Sequence, residues 1–378
     1  MNSQILTVKA GPHARKHTPL SFEIGAGTPP GRLTRRDTGK VLPCQVLDGK
    51  LHFILDRLGA GEQCELAFEA GNASRSRGVR LKVVKGDGKV DVTVRGKPFT
   101  TYQYRGVPHR PYFYPFLGPG GVQITRHYPM RDDIEGESHD HPHQRSVWFA
   151  FGDVNGVDNW TETEESGFQV PRGEPETTDG PVQGGFGQLL DWQDKDHGNV
   201  MAEARRVVFY NTPDNARVMD ASITFTARYG SVTFGDTKEG GICSVRVAAT
   251  MDAAKGGRFE NSFGGINDDE GWGKSAHWCD YSGPCEGRHV GIAVFDHPMN
   301  LRHPTPWHVR SYGLMCANPF GHSYYKSSLL EDGSYRIEQG ESLAFNYRLY
   351  IHDGDAAKGN VRDRYHDYIN PPAVEAAG

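Results

Sequence analysis

The chain has 378 residues and a formal net charge of −5, a length that suits one large domain with a small one beside it. The mildly acidic balance, without a block of like charges, excludes the basic surface that nucleic acids and anionic membranes require. No run of 18 apolar residues occurs and the N-terminus lacks a basic region before an apolar core, so we predict no transmembrane helix, no signal peptide, a cytoplasmic location and free thiols at the six cysteines.

The first part of the chain has the pattern of a small β unit. Leu20, Phe22 and Ile24 alternate with polar residues, and two apolar runs follow at 51–55 and 64–68. The stretch 71–78 is polar and begins and ends with glycine, which is typical of a linker. We therefore predict a small N-terminal β domain over residues 1–75 and a main β-sandwich domain over residues 76–378.

Alternating segments continue through the rest of the chain. Two runs of alternating valines, 79–83 and 90–94, flank Gly86-Asp87-Gly88 and predict a hairpin. Strands are also expected at 206–210, 222–229, 243–249, 290–295 and 343–351. So many strands without intervening helices predict an all-β protein built on a large antiparallel β-sandwich, with the extended sandwich of galactose mutarotase-like proteins as one expected form.

One helix is predicted near the C-terminus. Val361, Tyr365, Tyr368 and Ile369 share a helical face. Asn360 is positioned to cap the start of this helix, and Pro371 would end it.

The stretch 137–145 concentrates polar groups directly before an apolar run. His139, His141 and His143 alternate, so in an extended chain their rings would share one face. Residues 147–151 predict a buried strand, and acids, amides and Trp160 follow it. The concentration of titratable groups favours a functional site, and a structural hydrogen-bonding corner is the alternative.

Several familiar chemistries have no motif here. The chain contains no Gly-x-Gly-x-x-Gly, phosphate loop, Gly-x-Ser-x-Gly or His-Glu-x-x-His. What remains is a set of loops rich in histidine and tryptophan at 236–241, 261–281, 296–310 and 318–322.

Two interpretations of these loops stay open. In the first, imidazoles hold a divalent metal, with His141, His143 and His297 as ligands. In the second, histidines and acids act directly as acid and base on a polyol while aromatic rings stack on it. The candidate catalytic residues are His141, His143, Glu239 and Asp280, and the candidate substrate-binding residues are Arg126, Arg145, Trp148, Asp153, Asn155, Trp160, Trp278, Trp307, His308 and His322.

The same stretches resemble the bacterial family often labelled "methane oxygenase PmoA". The resemblance covers most of the chain and is carried by the segments 110–115, 122–130, 140–143, 148–158, 238–241, 261–272, 278–281 and 303–308. It implies a role in carbohydrate metabolism, since such proteins tend to be encoded near oxidoreductases that act on glycosides. The chain departs from the family at Gln144, where a histidine is usual.

The predicted function is that of an enzyme of glycoside catabolism. It would hydrolyse or β-eliminate a sugar or an oxidised, keto-type glycoside, whose acidified α-proton a histidine or carboxylate could remove. A non-catalytic sugar-binding or sensing protein is the alternative, and a metal-dependent oxygenase ranks last. The expected partner is a small-molecule or oligosaccharide substrate, with no nucleic acid and no membrane.

Overall fold

The computed structural model describes residues 3–71, 78–325 and 331–377 of the chain. The strands are β1 (Gln4–Lys9), β2 (Arg15–Glu23), β3 (Gly31–Arg35), β4 (Val41–Leu42), β5 (Cys44–Leu47), β6 (Lys50–Leu58), β7 (Gln63–Ala70), β8 (Val79–Val84), β9 (Lys89–Val94), β10 (Lys97–Gln103), β11 (Tyr112–Phe116), β12 (Val147–Phe151), β13 (Phe168–Pro171), β14 (Glu176–Thr178), β15 (Gln183–Gln193), β16 (Asn199–Tyr210), β17 (Ala216–Thr226), β18 (Val232–Phe234), β19 (Gly240–Arg246), β20 (Arg258–Asn261), β21 (Trp278–Cys285), β22 (Arg288–Asp296), β23 (Trp307–Arg310), β24 (Leu314–Ala317), β25 (Tyr335–Ile337), β26 (Ser342–Asp353) and β27 (Ala373–Ala376). The helices are α1 (Asn267–Gly271) and α2 (Val361–Ile369), with single 3-10 turns at Lys85–Asp87, Pro119–Gly121, Ala249–Met251, Ala253–Lys255 and His322–Tyr324.

Two large antiparallel sheets form the main body. One has eight strands in the order β23-β24-β19-β12-β11-β10-β9-β8, and the other runs β13-β15-β16-β17-β26-β22-β21-β20, with β14 beside β15. Their inner faces enclose one apolar core. The predicted all-β fold with a large antiparallel sandwich is confirmed.

The alternation within single strands decides which side chains enter that core. In β12, Val147, Phe149 and Phe151 belong to the core between the sheets, whereas Trp148 and Ala150 lie on the outer face. This is the period of two that an extended backbone imposes. A polar or aromatic group at an even position of β12 is therefore delivered to the outer surface of the eight-stranded sheet.

The N-terminal unit has its own core between two small sheets. One runs β27-β1-β7-β3-β4 and the other β2-β6-β5. The strand β27 comes from the other end of the chain and pairs with β1 from Leu6 opposite Ala376 to Lys9 opposite Ala373. The predicted boundary between residues 75 and 76 lies outside the described residues.

The helix α2 spans Val361–Ile369, as the sequence pattern predicts. The predicted capping role of Asn360 is wrong: this residue has a left-handed backbone with φ 53° and its side chain makes no capping hydrogen bond. Its amide donates instead to the carbonyl of Lys358 at 3.3 Å.

The six cysteines are buried free thiols. Over the described ranges, no helix has the length and apolar character needed to cross a membrane.

Candidate functional site

The outer face of the eight-stranded sheet carries a compact aromatic cluster. Trp148 from β12, Leu314 and Cys316 from β24, and Trp160 from the loop after β12 pack together there. Trp148 and Trp160 are fully buried, with ring centroids 5.4 Å apart. The loop that contains the histidine stretch lies over this cluster and gives the outer face its polar groups.

The rings of His141 and His143 lie side by side, with centroids 5.7 Å apart. The stretch is not extended, however. His141 has φ 44°, and the amide of Gln144 donates to its carbonyl at 3.0 Å, so a turn over Pro142 brings the rings together. His139 points elsewhere and stacks on Tyr128 at 4.4 Å.

His143 occupies an environment that disfavours its charged form. Its ring lies 5.9 Å from that of Trp160. Burial lowers the pKa of His143 to about 4, and the neighbouring Arg110 guanidinium acts in the same direction. Arg110 donates to the carbonyls of His143 at 3.0 Å and Trp160 at 2.6 Å, which fixes both segments. The imidazole is therefore neutral at physiological pH and can accept a proton or a hydrogen bond.

Glu239 directly precedes β19 and lies close to His143. Burial acts to raise its pKa, but the hydrogen-bonded Lys238 ammonium holds the pKa below its usual value. Its side chain remains 47% exposed. The site thus contains an ionised carboxylate that solvent or a ligand can reach.

His308 lies on the outer face because its neighbours Trp307 and Val309 enter the core. Its Nδ1 lies 2.5 Å from the carbonyl of Lys238, so Nδ1 donates and Nε2 carries the lone pair. Burial lowers the pKa of His308 to about 4. The carbonyl contact also anchors the segment that presents Glu239.

Two buried arginines hold the histidine loop. Arg126 donates to Asp140 at 2.5 Å and to the carbonyl of His141 at 2.9 Å. Arg246 donates to the same Asp140 oxygen at 3.2 Å. Arg126 has no exposed side-chain surface, so the structure gives it a bracing contact where the sequence suggested a substrate contact.

Gln144 also has a bracing role. Its amide oxygen accepts a hydrogen bond from Arg246, whose guanidinium stacks 4.4 Å from the ring of Tyr312. Tyr312 in turn stacks on His141 at 5.1 Å. The departure at position 144 therefore affects the residues that orient His141.

Arg145 is similarly engaged. It forms a two-pronged pair with Glu162, at 2.9 and 2.7 Å, and lies 5.6 Å from the ring of Tyr112. Such pairs are geometrically specific. This one ties the loop before β12 to the loop after it.

Two indole groups at the site have no partner within the described parts of the chain. The Nε1 atoms of Trp148 and Trp160 are buried and donate to no acceptor there. A buried donor without an acceptor is costly. Such a donor requires an acceptor beyond the described protein atoms, such as an ordered water.

Asp280 does not join this cluster. It lies on the outer face of the other sheet, where Oδ2 is 2.8 Å from Nε2 of His352. Its neighbours Cys279 and Tyr281 point into the core, so the parity of β21 places Asp280 across the sandwich from His143.

Other predicted binding residues have structural contacts. Trp307 is buried in the core and donates to the carbonyl of Ala276 at 2.9 Å. Trp278 packs in a separate cluster beside α2. Asp153 accepts from the amide of Gly156 at 2.8 Å, and Asn155 bridges to the backbone of β18 through the Thr233 amide at 2.7 Å.

His297 and His322 lie apart from the two paired histidines. His297 contacts the ring of Tyr368 at 5.1 Å. His322 lies in the loop whose Asn318 donates to the carbonyl of Thr237 at 2.9 Å, so this loop braces the approach to Glu239. Among the described residues, no group of three or more His, Cys, Asp or Glu side chains is arranged to hold a metal ion, and metal binding stays a prediction.

The sequence analysis missed Arg246 and Tyr312. Arg246 is the last residue of β19, whose other residues are small or apolar, and it is 1% exposed. A lone arginine in an apolar run must find a partner on folding. That signal was readable in the sequence, whereas the stacking of Tyr312 on His141 was not.

Comparison with known proteins places the chain in a family. Residues 89–366 match the profile of the family of unknown function DUF6807, and the chain belongs to this family. No curated protein matches the chain. The predicted resemblance to the PmoA-like family is not tested by this match.

Solved structures show distant likenesses. An alpha-mannosidase from Enterococcus faecalis V583 matches all of this chain at 9% identity with a TM-score of 0.45. The galactosidase domain of an alpha-galactosidase-sucrose kinase matches 76% of the chain at 8% identity with a TM-score of 0.40. The alpha-galactosidase from Lactobacillus brevis matches 77% of the chain at 9% identity with a TM-score of 0.36. The chain spans 46%, 44% and 42% of these proteins, so the likenesses carry no argument about activity.

Proposed function

We propose that this protein is a carbohydrate-active enzyme of glycoside catabolism whose acid–base groups are Glu239, His143 and His141. The observation that carries the proposal is the position of the half-exposed Glu239 beside two imidazoles, those of His143 and His308, whose pKa values burial lowers to about 4. Groups with shifted pKa values gathered at one place are a feature of active sites.

The two principal groups have complementary states. Glu239 is ionised and 47% exposed, and it can accept a proton from a substrate. His143 is neutral and held in place by Trp160 and Arg110, so its ring can accept a hydrogen bond from the substrate. On a keto-type glycoside, Glu239 would remove the α-proton and Lys238 would stabilise the developing enolate charge.

The polar groups suit a hydroxylated substrate. Carboxylate, imidazole and ammonium groups hydrogen-bond to hydroxyls. Tyr112, partly buried beside the site, provides flat apolar surface next to them. A sugar presents the matching combination of hydroxyl groups and apolar ring faces.

The test compares Glu239→Gln with the wild-type chain on nitrophenyl glycosides and their keto derivatives. Loss of a positioned general base should lower kcat about 100-fold or more while the affinity for the glycoside changes little. Glu164→Gln removes an exposed carboxylate in the loop that contains Trp160, and it should leave turnover unchanged.

A sugar-binding protein would give a different result. The wild-type chain would then release no nitrophenol from any glycoside, and binding measured by calorimetry would still be weakened in Glu239→Gln. Equal binding and equal turnover in both variants would contradict the proposed site.

A further inference from the structure

A cavity lies on the opposite side of the sandwich from the candidate site. It has a volume of about 220 Å3 and is lined by β2 of the N-terminal unit, by β17, β22 and the outer face of β26, by α2, and by the loops before β17 and α2. Cavities between packed units are common ligand sites. Nothing in the proposed function uses this one.

The cavity lining combines apolar side chains, among them Val218 and Phe295, with two polar groups that are held in place. Arg348 and His352 are 8% and 1% exposed and belong to the lining. Arg348 makes a two-pronged pair with Asp220 at 2.6 and 2.8 Å, and His352 is held by Asp280 at 2.8 Å. These groups are therefore fixed before any ligand arrives.

The charges around the cavity are unevenly compensated. Four cationic side chains line it together with two carboxylates, Asp353 and Asp367, and Arg348 is already paired with Asp220 behind the lining. Arg288 pairs with Asp353 at 2.6 Å and Arg364 pairs with Asp367 at 2.9 Å.

The two lysines at the mouth remain without such partners. Neither Lys16 nor Lys358 forms an ion pair with any residue in the described ranges, and both are exposed. The nearby His17 is partly buried, and this burial, with Lys16 and Arg364 acting in the same direction, lowers its pKa to about 4.

Arg364 and the start of α2 add positive character to the cavity. The Nε of Arg364, whose side chain is 11% exposed, is buried and has no hydrogen-bond partner among the described residues. The first turn of the nine-residue helix α2, whose N-terminal end carries partial positive charge, begins at the cavity lining. We propose that this cavity binds a small anion, a phosphate or carboxylate group carried on a molecule no larger than a sugar.

The experiment titrates the full-length chain by calorimetry at constant ionic strength with inorganic phosphate, glucose 6-phosphate, glucuronate and neutral glucose. At least one of the three anionic probes should bind. Neutral glucose should bind at this cavity at least tenfold more weakly than that probe. The phosphate and glucuronate arms distinguish the two sources of the anionic group.

The double variant Lys16→Ala/Lys358→Ala should weaken binding of that probe at least tenfold. Both side chains are exposed, so the melting temperature without ligand should not change. The matched control Lys82→Ala/Lys274→Ala removes the same charge from exposed lysines outside the cavity lining and should leave the affinity within twofold.

Two results would overturn the proposal. One is the absence of binding by all three anionic probes at 10 mM, a concentration on the order of ten times a weak millimolar Kd. The other is an equal loss of affinity in the cavity variant and the control variant, since this would show that only net charge attracts the anion.

Discussion

At the scale of single residues, burial sets the chemistry of the candidate site. His143 is two residues from His141 in the chain, yet only His143 is enclosed by Trp160 and Arg110. Its pKa falls to about 4 for that reason. The imidazole of His143 is thus a neutral hydrogen-bond acceptor because of the groups that surround it.

The lowered pKa predicts how stability depends on pH. An unfolded histidine titrates near 6.5, whereas His143, His308 and His17 titrate near 4 in the folded chain. Between these values the unfolded state binds more protons, so stability is fully present above pH 6.5 and is lost as pH falls towards 4. Urea unfolding at pH 7.5, 5.5 and 4.5 should show this decline.

His143→Gln separates one contribution from the rest. It should remove on the order of 1–3 kcal/mol of the decline between pH 6.5 and 4, because one pKa unit corresponds to about 1.4 kcal/mol. An identical pH profile in His143→Gln and the wild-type chain would mean that the folded pKa of His143 is not depressed.

At the scale of elements, the connection between β26 and α2 depends on close packing around His352. A Cβ atom at Gly359 would lie 2.3 Å from Nδ1 of His352, and one at Gly291 would lie 2.5 Å from Cε1 of the same ring. The ring is also held by Asp280, so it cannot move aside freely. The approach of α2 to the sheet therefore requires glycine at position 359.

Gly359→Ala should lower the free energy of unfolding by about 1–3 kcal/mol, the usual cost of overpacking. Gly187→Ala on β15 is the control, since an added Cβ there meets nothing within 4 Å. That control should change stability by less than about 0.5 kcal/mol. Chemical denaturation of both variants is the measurement, and equal stabilities would contradict the packing argument.

At the scale of the whole molecule, the two ends of the chain are joined in one sheet. β27 pairs with β1 over four residues, and Lys9 forms an ion pair with Glu375 at 2.7 Å. The N-terminal unit therefore includes a strand that follows the sandwich in sequence. Its edge depends on the C-terminal segment having returned to it.

Truncation after Pro372 should loosen that unit selectively. The amide hydrogens of β1 that face β27 should exchange at least tenfold faster by mass spectrometry, because their ladder partners are gone, whereas those that face β7 keep their partners. Peptides from β26, at the centre of the nine-stranded sheet, should exchange at the wild-type rate. Faster exchange in both strands would instead show that the ends of the chain stabilise the whole molecule.

The local pattern of the sequence determined the strands and the faces of the strands. Alternation identified β8, β9, β17 and β26, because an extended backbone turns successive side chains to opposite faces. The same pattern predicted α2 from a spacing of three and four residues. These features depend only on neighbours in the chain, so they could be read without the fold.

Tertiary structure decided which polar groups meet. Glu239 and His308 join His143 because β12 pairs with β19, β19 with β24, and β24 with β23. No local pattern encodes such pairings between distant segments. For the same reason Asp280, which the sequence grouped with the histidines, lies with His352 on the other sheet. A shift of one residue along a strand moves a side chain to the opposite face of the sheet. Only the packed sheets show which face holds the site.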